Sequence, residues 1–222
     1  MAINLKKGQT INLDKSQHDL SQITLGLGWK IRQKKKGFFG KLLGSGEADF
    51  DLDALAFMLD ANEKVTNLGY QRDLGGGRTV GLYQSDIIFY NNLRHPSGAV
   101  WHTGDERVGG SGAGGDDEQI IVRLNDIPPM FHKILFLVTI YQGRQKNQNF
   151  GMVESAFIRA VDARGKEIAR YDLSADPTYD GKCSMVFGEV YRKDGGWKFR
   201  ALGNASESDN FVDTLRNYLP QQ

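Results

Sequence analysis

The 222-residue sequence has a single cysteine, Cys183, and no long hydrophobic run. One cysteine excludes an internal disulfide and a cysteine zinc site, and this usage fits a reducing compartment. The longest apolar run, Ile134 to Ile140, is interrupted only by Thr139 and has the length of a strand, not of a transmembrane helix. The N-terminal stretch lacks the apolar core of a signal peptide. The sequence therefore predicts a cytoplasmic protein.

An excess of charge of one sign is also missing. The chain has 28 Lys and Arg residues against 27 Asp and Glu residues, a net charge of +1. This balance gives no global attraction to nucleic acid, and no nucleic-acid partner is expected. The length fits one domain, 1–222, which can bury roughly 70% of its unfolded surface. No metal is therefore needed merely to fold the chain.

Signatures of catalysis are absent from the sequence. No GxSxG elbow and no Walker loop occur. Residues 110–115 fit GxGxxG formally, but no apolar strand precedes them, and the acids that follow would repel a dinucleotide. The histidines are scattered without the spacing of a zinc pair; they are His18, His95, His102 and His132. We therefore expect no enzyme and no catalytic residue.

Two acidic clusters are present instead. Asp49, Asp51 and Asp53 alternate with apolar residues, which on a strand puts their carboxylates on one face, about 7 Å apart. A glycine-rich acidic loop covers 102–118. An oxygen-only set of donors suits a hard cation, calcium before magnesium. An EF-hand is excluded because Ala54 stands where that loop needs glycine. The alternative is a solvated strand end without a metal.

Many short strand-like segments with turn signals between them predict a mainly β fold, a sandwich or barrel rather than alternating β and α units. Residues 54–59 are apolar at both odd and even positions, which face opposite sides of a strand, so we expect this strand to be covered on both faces. The segments are two pieces within 3–13, then 23–29, 49–60, 87–90, 120–124, 134–141, 155–162, 167–173, 184–191 and 197–202.

One helix is predicted near the C-terminus. Ser206 is positioned to cap it, and Pro220 ends it. The apolar residues between them repeat at helical spacing, so the helix should lie on the sandwich; they are Phe211, Val212, Leu215, Tyr218 and Leu219.

Seven short motifs occur in order along the chain. They are Leu25-Gly26-Leu27-Gly28-Trp29, Phe50-Asp51-Leu52-Asp53-Ala54, Phe89-Tyr90-Asn91-Asn92-Leu93, His102-Thr103-Gly104-Asp105, Gly115-Asp116-Asp117-Glu118, Asn149-Phe150-Gly151 and Phe157-Ile158-Arg159. In this order, over nearly the whole chain, they resemble the TerD family of bacterial tellurium-resistance and stress proteins. The resemblance implies a β-sandwich of two mostly antiparallel sheets that binds calcium between loops, with no established enzymatic activity.

The chain departs from the family pattern at two positions. Where the family usually has Asp after the Gly-Trp pair, this chain has Lys30, and Leu55 replaces the usual Ser after Asp-Leu-Asp-Ala. Any metal ligand at these positions is lost here. His102 is expected to brace the loop through hydrogen bonds rather than to bind a metal. The acidic clusters and the resemblance together predict the metal ligands Asp51, Asp53, Asn91, Asn92, Asp105, Asp116, Asp117 and Glu118, for more than one Ca²⁺ ion.

The resemblance implies a calcium-binding stress-response protein of the tellurite-resistance type. It would act as a binding or scaffolding module with other tellurite-resistance or stress proteins, some of them membrane-associated. The alternative is a metal-dependent hydrolase acting on phosphate esters, because clustered carboxylates can hold two ions around a phosphoryl group. The sequence shows no clear general base or cationic clamp for that reaction. A purely structural metal site is a third possibility.

A basic segment at 30–46 resembles an insertion, since this connection is usually shorter in the family. Lysines 34–36 adjoin two pairs of apolar residues, at 38–39 and 42–43. Basic residues near an anionic surface attract it, and apolar residues add shallow insertion. We expect either contact with an anionic membrane or acidic partner, which would place the protein at the inner face of the membrane, or a loop folded back on the sandwich.

Overall fold

The computed structural model describes residues 3–31, 51–104, 116–172 and 177–221 of the chain. Within these residues the backbone forms fourteen strands and two short α-helices. The strands are β1 (Ile3–Asn4), β2 (Thr10–Leu13), β3 (Ile23–Ile31), β4 (Leu52–Leu59), β5 (Tyr70–Asp73), β6 (Thr79–Tyr83), β7 (Ile87–Ile88), β8 (Val100–His102), β9 (Glu118–Val122), β10 (Lys133–Ile140), β11 (Val153–Asp162), β12 (Glu167–Asp172), β13 (Ser184–Lys193) and β14 (Gly196–Ser206). The helices are α1 (Gly143–Lys146) and α2 (Phe211–Leu215).

Two six-stranded sheets form a β-sandwich. The first sheet has the order β1-β12-β11-β3-β9-β8, and the second has the order β2-β14-β13-β10-β4-β7. All strand pairs in them are antiparallel except β1 with β12. The mainly β sandwich expected from the sequence is confirmed.

The main core lies between the two sheets and follows the period of two along the strands. From the first sheet, Ile23, Leu25 and Leu27 of β3 are buried in it. From the second sheet, Trp197 and Phe199 of β14 are buried in the same cluster, while Lys198 between them is only partly buried. This alternation explains why the sequence pattern located these strands.

Strand β4 is covered on both faces, as its sequence predicts. Ala54, Ala56 and Met58 belong to the main core, and Leu55 and Phe57 belong to a second apolar cluster on the outer face of the second sheet. The C-terminal helix covers this outer cluster: the Phe57 ring centroid lies 6.3 Å from that of Phe211 and 6.2 Å from that of Tyr218. The helix therefore lies on the sandwich, as expected.

The C-terminal helix begins later than the sequence predicts. Ser206 pairs with Ser184 at the end of β14, so strand pairing takes this residue. Asn210 caps the helix instead, its side-chain oxygen accepting a hydrogen bond of 3.1 Å from the N–H of Val212. The helix continues as a 3₁₀ turn, Arg216–Tyr218.

Three strands lie where the sequence pattern predicts none. The hairpin of β5 and β6 encloses the triple glycine at 75–77. Every residue of β5 is exposed, so this strand has no buried face that alternating hydrophobic residues could indicate. Strand β8 has only three residues, Val100–His102. Strand β3 also continues to Ile31, past the predicted start of the basic segment at residue 30. Residues 32–46 of that segment lie outside the described residues.

Candidate metal centre

Glu118 joins the two sheets at one end of the sandwich. It is the first residue of β9, in the first sheet, and its residue exposure is 6%. Its Oε2 accepts a hydrogen bond of 2.5 Å from the N–H of Ala54, in β4 of the second sheet. The neighbouring strand β7 pairs with β4 only at Ala56 and Phe57, so the N–H of Ala54 lies beyond the end of that pairing. The carboxylate thus replaces a missing strand partner.

His102 braces this carboxylate. Its Nδ1 accepts a hydrogen bond of 2.9 Å from the N–H of Gly104, so the ring proton sits on Nε2. Nε2 then donates to Glu118 Oε2, at 3.3 Å. Both ring nitrogens are therefore engaged, which agrees with a bracing role for His102 rather than ligation.

A cleft of about 350 Å³ opens beside Glu118, and we call it the acidic cleft. Asp51 and Asp53 enter it half-buried from the start of β4. Gly104 also lines it. The predicted ligand Asp105 lies outside the described residues. The described residues that line it are Asp51, Asp53, Tyr90, Leu93, His102, Gly104, Glu118 and Tyr141.

Two tyrosines, Tyr90 and Tyr141, stand at the rim of the cleft. Burial raises the pKa of Tyr90, and the negative charge of Asp53 and the neighbouring Tyr141 add to the effect. Tyr141 follows β10, and its N–H donates to the carbonyl of Asp51 at 2.8 Å, which fixes the start of β4 beside the rim. A backbone hydrogen bond therefore fixes the rim at Tyr141, beside the acidic residues Asp51 and Asp53.

Asp116 is placed differently from a cleft ligand. Its side chain is 2% exposed and accepts two hydrogen bonds from Arg159, 2.7 Å from Nε and 3.0 Å from Nη2. Gln119 Nε2 donates to it as well, at 3.1 Å. A Cβ added to Gly26 would lie 2.2 Å from Asp116 Oδ2, so only glycine there admits the carboxylate. The pair anchors the chain that leads into β9.

Asp117 is bound to β3. Its N–H donates to the carbonyl of Leu27 at 2.7 Å, and its carboxylate accepts from the N–H of Trp29 at 3.0 Å. Burial raises the pKa of Asp117; the Trp29 hydrogen bond opposes this rise, and the charge of Asp116 adds to it. A cation beside this carboxylate would favour its charged form and so oppose the rise in pKa.

The two predicted asparagines separate in the structure. Asn92 is buried, and its amide donates to the carbonyl of Ile87 at 2.6 Å, while its oxygen accepts from the N–H of Gln84 at 3.2 Å. It therefore closes the turn after β7. Asn91 is exposed and does not line the acidic cleft. Of the eight predicted ligands, the cleft gathers Asp51, Asp53 and Glu118.

The chemistry of the cleft fits a hard cation. Among the described residues that line it, the acidic donors are the carboxylates of Asp51, Asp53 and Glu118, and His102 has both ring nitrogens engaged, so these residues form no soft or borderline ligand set. Within the described residues, no three or more His, Cys, Asp or Glu are grouped closely enough to hold a metal ion. The described part of the cleft thus supplies a fraction of the six to eight oxygens that calcium takes.

Comparison with known proteins decides the family. A family model described as the TerD domain matches residues 1–70 and 76–218. The chain belongs to the TerD family. Tellurium resistance protein TerX of Serratia marcescens is 51% identical over 219 residues, covering 99% of this chain and 100% of the relative. Stress response protein SCP2 of Bacillus subtilis is 38% identical over 220 residues, with 99% and 100% coverage.

Two solved structures share the fold of this TerD-family chain. The crystal structure of SAV2460, a protein of unknown function, has a TM-score of 0.61 at 19% identity and covers 90% of this chain and 98% of its own. SCO6318 of Streptomyces coelicolor, a homologue of telluride resistance protein TerD, has a TM-score of 0.58 at 17% identity, with 90% and 99% coverage. At these identities the likeness concerns the fold alone.

Sequence reasoning missed one residue that organises the site of this TerD-family protein. Arg159 occurs in one of the shared motifs, but nothing in the sequence pairs it with Asp116, 43 positions away. In the sheet, Arg159 is the direct cross-strand partner of Gly26, so its guanidinium lies beside the gap that the glycine leaves. The only sequence signal was the glycine within an otherwise apolar strand, which indicates a close neighbour.

Proposed function

We propose that this TerD-family protein is a calcium-binding module of the tellurite or general stress response, acting by binding other proteins rather than by catalysis. The names of its relatives support a role in tellurium resistance or the stress response. The acidic cleft supports the binding of calcium. The observation that carries the proposal is that Asp51, Asp53 and Glu118, from both sheets, line one open cleft.

In this proposal the carboxylates of Asp51 and Asp53 ligate calcium, and Glu118 adds charge to the same wall. Asp105 and loop carbonyls complete the oxygen shell. Asp117 and the exposed Asn91 are candidates for a second ion. Asp116 and Asn92 support the loops instead, because their polar atoms already bind Arg159 and the turn after β7. The bound ion would hold together the loops of the two sheets at this end of the sandwich.

Calcium should bind and stabilise the folded protein. We expect calorimetry to show saturable heat with a dissociation constant in the micromolar range or weaker. A hundredfold excess of calcium over that constant should add about 2.7 kcal/mol to the free energy of unfolding. Asp51→Asn should weaken binding, because it removes a charge from the cleft while keeping an oxygen donor.

Asp194→Asn is the matched control for this titration. Asp194 is exposed and pairs with Lys198 at the hairpin of β13 and β14, the end of the second sheet away from the cleft. It should leave the calcium heat unchanged. The absence of heat with calcium, together with the same melting temperature in chelator, would refute the proposal. Magnesium in place of calcium should give weaker heat, since it demands a tighter octahedral shell.

The hydrolase alternative gains no support from the cleft. None of the described residues that line it is Lys or Arg, so no cationic group stands ready to hold a phosphate ester. The His102 ring, which could have served as a base, is engaged at both nitrogens. A binding or scaffolding role therefore accounts better for the arrangement.

We also propose other tellurite-resistance or stress proteins as partners, and an anionic membrane as a contact of the basic segment at 30–46. No helix in the described part of the chain is long and apolar enough to cross a membrane. Sedimentation with vesicles that contain anionic lipid should carry the protein down, and added salt should release it. Replacing lysines 34–36 by glutamine should abolish sedimentation. Equal sedimentation with neutral vesicles would exclude this contact.

A further inference from the structure

A second cleft adjoins the acidic cleft on the outer face of the second sheet. It has a volume of about 210 Å³ and lies between the end of β10 and the start of α2. Asp53, Tyr90 and Tyr141 line both clefts. We call the second one the aromatic cleft. The described residues that line it are Asp53, Tyr90, Thr139, Tyr141, Gln142, Asp209, Asn210 and Phe211.

Aromatic rings form a large part of its wall. Tyr90 is 49% exposed and Tyr141 43% exposed, although both rings are large and partly apolar. Phe211 adds a third ring, which is anchored in the outer cluster against Phe89, at 5.4 Å between centroids. The faces of such rings attract cations. Tyr141 already shows this: Lys146 Nζ lies 5.1 Å from its ring centroid.

Two carboxylates flank these rings. Asp53 stands on β4, and Asp209 stands just before the cap of α2. Asp209 is held in place because its Oδ2 accepts a hydrogen bond of 3.0 Å from the N–H of Arg144 in α1. No Lys or Arg is among the described residues that line the cleft. Carboxylates beside exposed rings complement a positive group.

The floor of the cleft is polar. Thr139 lies directly opposite Asp53 on β4 and opposite Ser184 on β13, so the three side chains share one face of the sheet. Ser184 is 1% exposed, and its hydroxyl has no hydrogen-bond partner among the described residues. A buried hydroxyl is normally paired. Asp53 and Thr139 line the cleft and Ser184 does not, so a bound group would find its polar contacts on this face at Asp53 and Thr139.

We propose that the aromatic cleft binds an arginine side chain presented by a partner protein. Its volume is below the roughly 300–1,000 Å³ of small-molecule sites, so it suits one side chain better than a whole metabolite. A planar guanidinium stacks on tyrosine faces and donates two parallel hydrogen bonds to a carboxylate, which an ammonium cannot do. The inference goes beyond calcium binding, and it requires no metal.

The shared Asp53 couples the two clefts. A calcium ion at Asp53 would neutralise the charge that also attracts the guanidinium. The two ligands should therefore weaken each other, and by the same factor in both directions. Calcium would then regulate which partners the protein holds.

The test is an NMR titration of the ¹⁵N-labelled full chain in chelator with acetyl-arginine N-methylamide. Acetyl-citrulline N-methylamide is the matched probe, because it keeps the shape of arginine and lacks the charge. We expect saturable shifts of the amides of Gln142, Asp209 and Phe211 with the arginine compound. The citrulline compound should produce none.

Variants locate the contact. Asp209→Asn keeps an acceptor for the N–H of Arg144 and removes the charge, so it should weaken arginine binding about fivefold and leave the calcium heat unchanged. Tyr141→Leu should weaken it too, and Asp194→Asn should not. Added calcium should weaken it in the wild type.

Three outcomes would overturn the inference: no saturable shift, equal shifts with citrulline, or tighter binding of tetramethylammonium, which would indicate a small amine instead of a side chain. Because the titration is run in chelator, it separates this inference from the proposed function. Arginine binding without any calcium heat would leave the inference standing and refute the calcium proposal. Calcium heat with no arginine binding would do the reverse.

Discussion

Replacing Arg159 by leucine should lower the free energy of unfolding by about 3–5 kcal/mol, because it leaves a buried carboxylate without its partner. The Asp116 side chain is 2% exposed and the Arg159 side chain 14%. Arg159 donates to both oxygens of Asp116, a bidentate arrangement among the strongest of ion pairs. Unfolding in urea, followed by tryptophan fluorescence, measures the change.

Arg170→Leu is the control on the next strand. Arg170 also pairs with an acid, Asp172, at 2.7 Å, but both side chains are about one-third exposed, so the loss should stay near or below about 1 kcal/mol. The double variant Asp116→Asn with Arg159→Leu should recover part of the stability, since no charge is then left buried. An Arg159→Leu variant no less stable than Arg170→Leu would show that the pair does not anchor β9.

The pair also explains the glycine in the motif Leu25-Gly26-Leu27-Gly28-Trp29. Glycines within such a strand indicate a close neighbour or a bulge, and for Gly26 the structure shows a close neighbour, the carboxylate of Asp116. The identity of the neighbour could not be read from the chain. It depends on the pairing of β3 with both β9 and β11, which brings residues 26, 116 and 159 together.

The same limit applies to the predicted ligand set. Residue type marks Asp51, Asp53, Asp116 and Glu118 as equivalent carboxylates, but their tertiary partners differ. Asp51 and Asp53 face an open cleft, whereas Asp116 faces a guanidinium. The sequence pattern identifies the acidic residues. It does not show which of them are already bound by a cationic side chain or a backbone N–H from a distant part of the chain. Replacing Asp116 would therefore disturb the support of the site as well as any ion.

Most strands were predictable because their burial follows from local alternation. Strand β14 shows this most clearly, with Trp197 and Phe199 buried and their neighbours half-buried. The hairpin of β5 and β6 was not predictable in this way. Every residue of β5 is exposed, and its contacts with β6 include Tyr70 with Tyr83 at 5.5 Å between ring centroids and Arg72 over the Tyr83 ring at 4.6 Å, so no buried face marks β5 in the sequence.

Glu118 should affect both stability and calcium, and two substitutions separate these roles. Glu118→Ala removes the acceptor of the Ala54 N–H and the partner of His102, so we expect a loss of about 2–3 kcal/mol in the free energy of unfolding. Glu118→Gln keeps an oxygen for the Ala54 N–H and removes only the charge. It should stay close to wild type in stability and still weaken calcium binding about tenfold, since affinity depends on the negative charge that surrounds the ion.

Calorimetry on the glutamine variant and urea unfolding of both variants distinguish the possible roles of this carboxylate. If Glu118 only joins the sheets, the glutamine variant will bind calcium like the wild type. If it contributes charge to the ion, the glutamine variant will fold normally and bind weakly, and the alanine variant will show both losses. If the glutamine variant were as unstable as the alanine variant, accepting hydrogen bonds would not be enough to explain the structural role of Glu118 Oε2. The carboxylate charge would then be needed to join β9 to β4, and the metal-binding and structural roles of this end of the sandwich could not be separated by substitution at residue 118.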